Sequence, residues 1–318
     1  MQDVCLFAHF DPGNKVDDYV LRYVRELKKL GFSIVFISAA RLDRSDVERL
    51  LIDCCDVILR ENAGLDFASW AVGFVEHGSK IGGRLLLAND SVYGPIGDLS
   101  AALARLTQQP ADFYGMVENI EVAPHLQSWF VLLEPWVVAS PAFTSILAQP
   151  FSTMTRRRII LDGEIALSRR LIQAGFRYGV LHRNDQFGLP PRHDANHMLL
   201  FWRELLIDEH IPFLKIELIR DDPLGGNETA AILQAVERAD PTLHALIRSH
   251  LARLPRRPQR SALARLRYAM IRKSYGFQPQ SRPGIGVLNR VTLEVLTALV
   301  WARRRVNLSI DQLQEHAH

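Results

Sequence analysis

Short apolar runs, each closed by turn residues, alternate with stretches of helical periodicity over roughly the first 220 residues, and this alternation leaves few architectures open. Residues 4–8 (VCLFA) read as a buried first strand that ends in His9-Phe10-Asp11-Pro12-Gly13. Residues 16–30 place Val20, Val24, Leu27 and Leu30 at helical spacing, and Gly31 follows as a C-terminal cap. Residues 33–38 (SIVFIS), 56–60 (DVILR) and 84–88 (RLLLA) read as further strands, with a short helix over 46–52. Strands are also expected at 111–117, 128–133 and 178–181, with a helix over 163–174. The order predicts an α/β fold, whose ligands lie beyond the carboxyl ends of the strands.

Composition narrows the class. With 48% hydrophobic and 23% charged residues the 318-residue chain has the balance of a globular protein, which excludes disordered, collagen-like and membrane-bundle readings. Cys5, Cys54 and Cys55 are too few for a disulfide framework, and no Cys/His spacing suits zinc. The start MQDVCLFAHFDP lacks a signal peptide's apolar core, and no apolar run is long enough to span a membrane. A soluble, cytoplasmic protein is expected.

The net charge of +3 is unevenly placed. Eleven basic residues, from Arg248 to Arg290, lie between Pro241 and Leu293 with no Asp or Glu among them. With these set aside, 27 of the 38 basic residues remain against 35 acidic ones, so an acidic body carries a basic C-terminal segment. Asp240-Pro241 reads as a boundary, followed by helical segments separated by Pro255, Pro258, Pro279 and Pro283.

Residues able to do chemistry gather just after the strands. Asn89-Asp90-Ser91 follows RLLLA, where Asp90 can hold a divalent cation that bridges a diphosphate or can simply close a turn. In Arg60-Glu61-Asn62-Ala63-Gly64-Leu65-Asp66, Gly64 permits close backbone approach, Arg60 offers a phosphate fork and Asp66 can accept from a sugar hydroxyl. Equally, Asp66 caps a helix and Arg60 pairs with Glu61. Glu164 lies in what reads as a first helical turn, as an ordinary cap or as a general base. His9 and Asp11 at the first strand end, and Tyr93, His125, Gln127 and Ser128, are candidates for holding donor, sugar or acceptor groups. No G-x-S-x-G elbow, P-loop or G-x-G-x-x-G is present, which weighs against serine hydrolases, nucleotide triphosphatases and dinucleotide binders.

Taken in order, AHFDP (8–12), RENAGLDFASW (60–70), LLLANDSVYGP (85–95), ADFYG (111–115), HLQSWF (125–130) and FWRELLIDEHIPFLKIELIRDDP (201–223) resemble the rhamnan synthesis protein F family, over about residues 3–225. That family is tied to assembly of rhamnose-containing bacterial polysaccharides. The resemblance implies a glycosyltransferase-A-like fold, a mixed Rossmann-like sheet flanked by helices, here with a C-terminal helical extension. It divides the chain into a catalytic domain over 1–225 and a basic helical region over 226–318. It puts Asn89 and Asp90 at that fold's Asp-x-Asp motif, and Asn62 and Gly64 at its Asn-x-Gly loop. GEIALSRRL (163–171) resembles a helix of inverting members, which puts Glu164 at the catalytic base. Two departures stand out: the acidic motif keeps one carboxylate, and the base is Glu rather than Asp.

The implied activity is inverting transfer of a sugar, rhamnose from dTDP-rhamnose or GDP-rhamnose, to a lipid-linked glycan in O-antigen-type surface polysaccharide synthesis. Mg2+ or Mn2+ at Asp90 would be its cofactor. The basic segment, with the apolar stretch 291–302 between Arg290 and Arg303, suits an anionic membrane surface on the cytoplasmic side, though it can as well grip a second copy of the chain. Nucleic acid is not expected as a partner. Two rival readings are a non-catalytic sugar- or polysaccharide-binding partner with a degenerate transferase fold, and the same enzyme class with another donor sugar.

Overall fold

The computed structural model describes residues 2–120, 122–187, 196–225, 228–254, 266 and 268–271. In chain order its elements begin with β1 (Val4–His9), α1 (Asp18–Lys29), β2 (Ser33–Ser38), α2 (Arg44–Leu51), β3 (Asp56–Leu59), α3 (Leu65–His77), β4 (Leu85–Asn89), β5 (Val92–Tyr93) and α4 (Leu99–Thr107). They continue with β6 (Phe113–Asn119), β7 (His125–Leu126), β8 (Phe130–Leu133), α5 (Pro135–Val138), α6 (Pro141–Leu147), α7 (Arg156–Ile159), α8 (Ala166–Gln173) and β9 (Tyr178–His182). The last described elements are α9 (His197–Leu200), α10 (Trp202–Ile207), β10 (Leu214–Lys215), α11 (Ile216–Arg220), α12 (Glu228–Ala239) and α13 (Pro241–Arg253).

An eight-stranded mixed sheet runs β3-β2-β1-β4-β8-β6, with β7 and β9 both paired to β6. β1, β2, β3 and β4 are mutually parallel, whereas β8 enters antiparallel between β4 and β6. β1 and β4 are buried along their whole length, which is why their sequences are unbroken apolar runs rather than alternating ones. Their side chains part to two cores. Cys5, Phe7 and Leu86 join Tyr23, Val24 and Phe36 beneath α1, while Leu6, Ala8 and Leu87 pack with Trp70, Phe143 and Leu171 on the opposite face.

Local rules fix several helix starts. Asp43, Asp98, Ser140 and Thr155 each accept a backbone N–H of the first turn of α2, α4, α6 and α7. β1 pairs with β2 on one side and β4 on the other, so the chain reverses its direction of winding beside β1. Such a reversal opens a crevice beyond the strand ends.

The mixed α/β architecture is the fold class expected from sequence, and the expected strands are present with ends shifted by one or two residues. One helix starts elsewhere. Thr155 caps α7, which runs through a π-helical turn, Ile160–Ile165, into α8, so Glu164 does not occupy a first turn. The expected boundary at Asp240-Pro241 is a helix start: Asp240 accepts from the Leu243 amide with Pro241 in the first turn. Ile232, Val236, Leu243 and Ile247 are fully buried in the same core as Phe7 and Phe36, so α12 and α13 are built onto the body assigned to residues 1–225. The arginines from Arg256 to Arg265, Arg267, and everything from Arg272 onward, including the 291–302 stretch, lie outside the described residues. Among the described residues no helix is long and apolar enough to cross a membrane.

Candidate active site

The ends of β1 and β4 meet at His9 and Asp90. The Phe10 amide donates to Asp90 Oδ2 at 3.2 Å, His9 Nε2 lies 3.8 Å from the same oxygen, and the Tyr19 hydroxyl donates to the Asp90 carbonyl at 3.2 Å. His9 is buried, with its Nδ1 2.9 Å from Ser38 Oγ, and burial lowers its pKa to about 4. It is therefore a neutral imidazole beside a carboxylate.

Asn89, also buried, links Asp90 to α3. Its Nδ2 donates to Asp66 Oδ2 at 2.7 Å, while its Oδ1 accepts from the Ser91 amide and hydroxyl. Burial, then the nearby Glu164, raises Asp66 to about 6, and burial, then Asp66, raises Asp90 well above the usual carboxylate range. Glu164 thus acts on Asp66, and Asp66 on Asp90, so the three carboxyl groups lie near one another. Glu164 projects from the π-helical turn, where Oε1 accepts from Ser128 Oγ at 2.9 Å and the Ser128 amide at 3.2 Å. π-Turns interrupt the regular ladder and re-aim one side chain, often at functional sites. Gly163 makes this one fit, since a Cβ there would stand 2.9 Å from the Phe67 ring.

Gly64 opens α3 with φ +81°, and a Cβ there would lie 2.7 Å from the Phe151 backbone. This glycine is needed to bring Asp66 to the crevice.

Several expected site residues do other work. Arg60 is not a free phosphate fork: its Nε donates to Ser69 Oγ, and its Nη atoms donate to the carbonyls of Glu61, Ala63 and Leu65, so it braces the Gly64 loop. It meets Glu61 through the backbone, not the carboxylate. Asp11 is buried and accepts from the Gly13 and Lys15 amides and from both Nη atoms of Arg253, so it braces the loop after β1. Burial would raise its pKa, but Arg253 and the two amides outweigh that and hold it low. Tyr93 is fully buried, its hydroxyl 2.8 Å from His250 Nδ1, and so is no acceptor contact. Gln127 is buried between Trp129 Nε1 and Asn196 Oδ1, and the buried His125 bonds the Ala123 carbonyl at 2.7 Å. Asn62 is exposed on the loop.

Sequence reasoning missed the Phe10 amide, Tyr19 and Arg253. Phe10 acts through its backbone amide, the Tyr19 hydroxyl bonds a backbone carbonyl 71 residues away, and Arg253 lies 242 residues from Asp11, so no local pattern connects them.

The model of a family described as rhamnan synthesis protein F matches residues 34–282. Virulence protein VirA of Vibrio anguillarum is 27% identical over 213 residues, covering 57% of this chain and 68% of VirA. The uncharacterized protein y4gN of Sinorhizobium fredii is 26% identical over 186 residues, and the match spans 48% of its length. Among solved structures, S. aureus TarS residues 1–349 gives a TM-score of 0.39 at 12% identity, covering 86% of this chain and 91% of TarS. The glycosyltransferase GlyE of Streptococcus pneumoniae TIGR4 gives 0.38 at 13% identity, covering 81% and 66%. Scores this low leave the fold assignment to the order and direction of the strands themselves.

Proposed function

The chain belongs to the rhamnan synthesis protein F family, and on that footing we propose that it is a nucleotide-sugar-dependent glycosyltransferase of bacterial polysaccharide assembly. The observation that carries this reading is the placement of Glu164: one oxygen is held by Ser128, and its charge is felt by Asp66 in the crevice where Asp90 also lies.

The donor lies across the ends of β1 and β4. Carboxylate oxygens suit Mg2+ or Mn2+; burial raises both Asp66 and Asp90, Glu164 adds to the rise of Asp66 and Asp66 to that of Asp90, and a cation held by the two aspartates would relieve this. Among the described residues Asp90 belongs to no cluster of three possible protein ligands within 4.8 Å; Asp90, with Asp66, would hold the ion. When bound, the ion neutralises charge developing on the leaving nucleoside diphosphate. Neutral His9 and the Phe10 amide keep the Asp90 carboxylate in place without competing for its charge. Glu164 accepts the proton of an acceptor hydroxyl as that oxygen attacks the anomeric carbon from the face opposite the leaving group, so configuration inverts. Ser128 fixes the rotamer of Glu164 and is a positioning residue, not an acceptor contact.

Rhamnose is the sugar favoured by the family, with a lipid-linked glycan as acceptor and the basic C-terminal segment against an anionic membrane face. These choices rest on family membership and on charge pattern.

A thermal-shift panel of dTDP, GDP, UDP and CDP, each with and without Mn2+, tests the donor site. A ligand at 100 times its Kd adds about 2.7 kcal/mol, several degrees for a chain of this size. A metal-dependent shift with one base, lost in Asp90→Ala, is the expected result. A flat panel removes the donor site and favours a non-catalytic glycan-binding role.

A further inference from the structure

Beyond burial and Asp66, Asp11 also acts on Asp90 and raises it further. Asp11 and Asp17 flank the loop after β1. Asp11 is buried, and both residues act electrostatically on Tyr19, whose hydroxyl holds the Asp90 backbone. With His250 they form a cluster whose potential ligand atoms all lie within 4.8 Å of one another, a set that calls for a cation. A side chain already supplies it. Arg253, the last residue of α13, donates from Nη1 to Asp11 Oδ1 at 2.9 Å and from Nη2 to Asp11 Oδ2 at 2.7 Å, and it also bonds Asp17.

This bidentate geometry is arginine's own. A Cβ on Gly13 would stand 2.4 Å from Arg253 Nη1, so a side chain there would push the guanidinium from its present place. Arg253 lines a cavity of about 380 Å³ with Pro12, Gly13, Lys15 and Leu254, and a second of about 320 Å³ whose lining includes Asp17, Asp18 and Asp46. The loop it braces carries Phe10, whose amide holds Asp90.

We propose that Arg253 is a built-in cation of the donor site: it neutralises Asp11 and Asp17 so that a nucleoside diphosphate group can settle beside Asp90. It acts through the two aspartates and is a positioning residue. The inference rests on the nucleotide-sugar reading above. It assigns to α13, which lies within the residues the family model matches, a part in choosing an anionic ligand.

A purely structural role would weaken every ligand of the crevice alike, whereas a charge role discriminates by ligand charge. The test uses the full chain and calorimetric titration in Mn2+ with dTDP, GDP, UDP and CDP and with the four matching nucleosides. Arg253→Ala is expected to weaken the bound diphosphate at least about tenfold and its nucleoside less than about twofold, with the loss shrinking at high salt. The helix is held independently by buried Leu243 and Ile247 and by the His250–Tyr93 bond, so the variant keeps its fold. Should it not fold, the double variant Arg253→Gln with Asp17→Asn, which removes one charge of each sign, is expected to bind the diphosphate within about threefold of wild type, against a loss of at least about tenfold for Arg253→Gln alone. Equal losses for diphosphate and nucleoside, or no loss, overturn the proposal. If wild type binds none of the four diphosphates, the nucleotide-sugar reading itself has failed and this one falls with it.

Discussion

Asn89 donates its amide to Asp66 Oδ2 across 2.7 Å, tying the end of β4 to the first turn of α3. The other end of the same side chain, Oδ1, accepts from the Ser91 amide and hydroxyl, so Asn89 ties Asp66 to the turn that holds Asp90. Asp66, from the first turn of α3, thereby brings a second carboxyl group beside the Asn89-Asp90 motif.

Asp66→Asn is therefore expected to remove the Mn2+-dependent part of the nucleoside diphosphate thermal shift about as fully as Asp90→Asn does. Loss of one of two carboxylates should weaken the metal about tenfold to a hundredfold. The ligand-free melting temperature should not fall, because Asp66 is raised by burial and loses no ion pair.

Glu164→Gln keeps the shape of the side chain and removes the base. Transfer should fall by about two to four orders of magnitude while nucleoside diphosphate affinity is retained. Ser128→Ala leaves the base but frees its rotamer, since both the hydroxyl and the amide of Ser128 converge on Oε1. It should lower kcat about tenfold with an unchanged donor KM, and Ser128→Thr should recover most of it. Initial-rate kinetics separate the three variants.

Gly64→Ala places a Cβ 2.7 Å from the Phe151 backbone at a residue with φ +81°. The positive φ and the clash together cost about 2–4 kcal/mol, read as a melting temperature lower by roughly 5–10 °C. Gly31→Ala is the control, for its φ is also positive at +92° but nothing lies within 4 Å of its Cβ position.

The sheet and the order of its strands were legible because β1, β2 and β4 are unbroken apolar runs closed by turns. The crevice was legible as a place for the same reason. Individual roles were less so. Tyr93 and Arg60 sit at the right addresses, but a sequence does not say that Tyr93 points inward to His250, or that Arg60 spends its donors on carbonyls of its own loop. The π-turn under Glu164 was hidden because its residues share the apolar spacing of an ordinary helix. Arg253 was hidden because ion pairing between residues 11 and 253 leaves no pattern at either end.

Tyr93→Phe separates the buried role from the expected acceptor contact. The change removes the 2.8 Å bond to His250 Nδ1 and leaves that buried nitrogen unpaired, at a cost of about 1–3 kcal/mol. Melting temperature should drop by several degrees while the acceptor KM stays at the wild-type value. A raised acceptor KM with unaltered stability would return Tyr93 to the site.

Acid sensitivity follows from buried imidazoles. His197 is fully buried, with its Nδ1 2.8 Å from His182 Nε2; His182 Nδ1 lies 3.0 Å from Glu209 Oε2, and the Phe201 ring meets His197 edge-on. Burial, then the neighbouring His182, lowers the His197 pKa from 6.5 to about 3. Because the folded value is the lower one, the unfolded chain takes up a proton near pH 6.5 that the folded chain refuses until about pH 3. Stability from this residue is therefore complete above pH 6.5 and declines as pH falls toward 3, by up to about 1.4 kcal/mol per pH unit. Urea unfolding at pH 7.5, 6.0 and 5.0 should show midpoints falling with pH, and His197→Gln should flatten that fall while lowering stability at pH 7.5. A midpoint that stays level from pH 7.5 to 5.0 in the wild type would mean that His197 is already charged in the folded core.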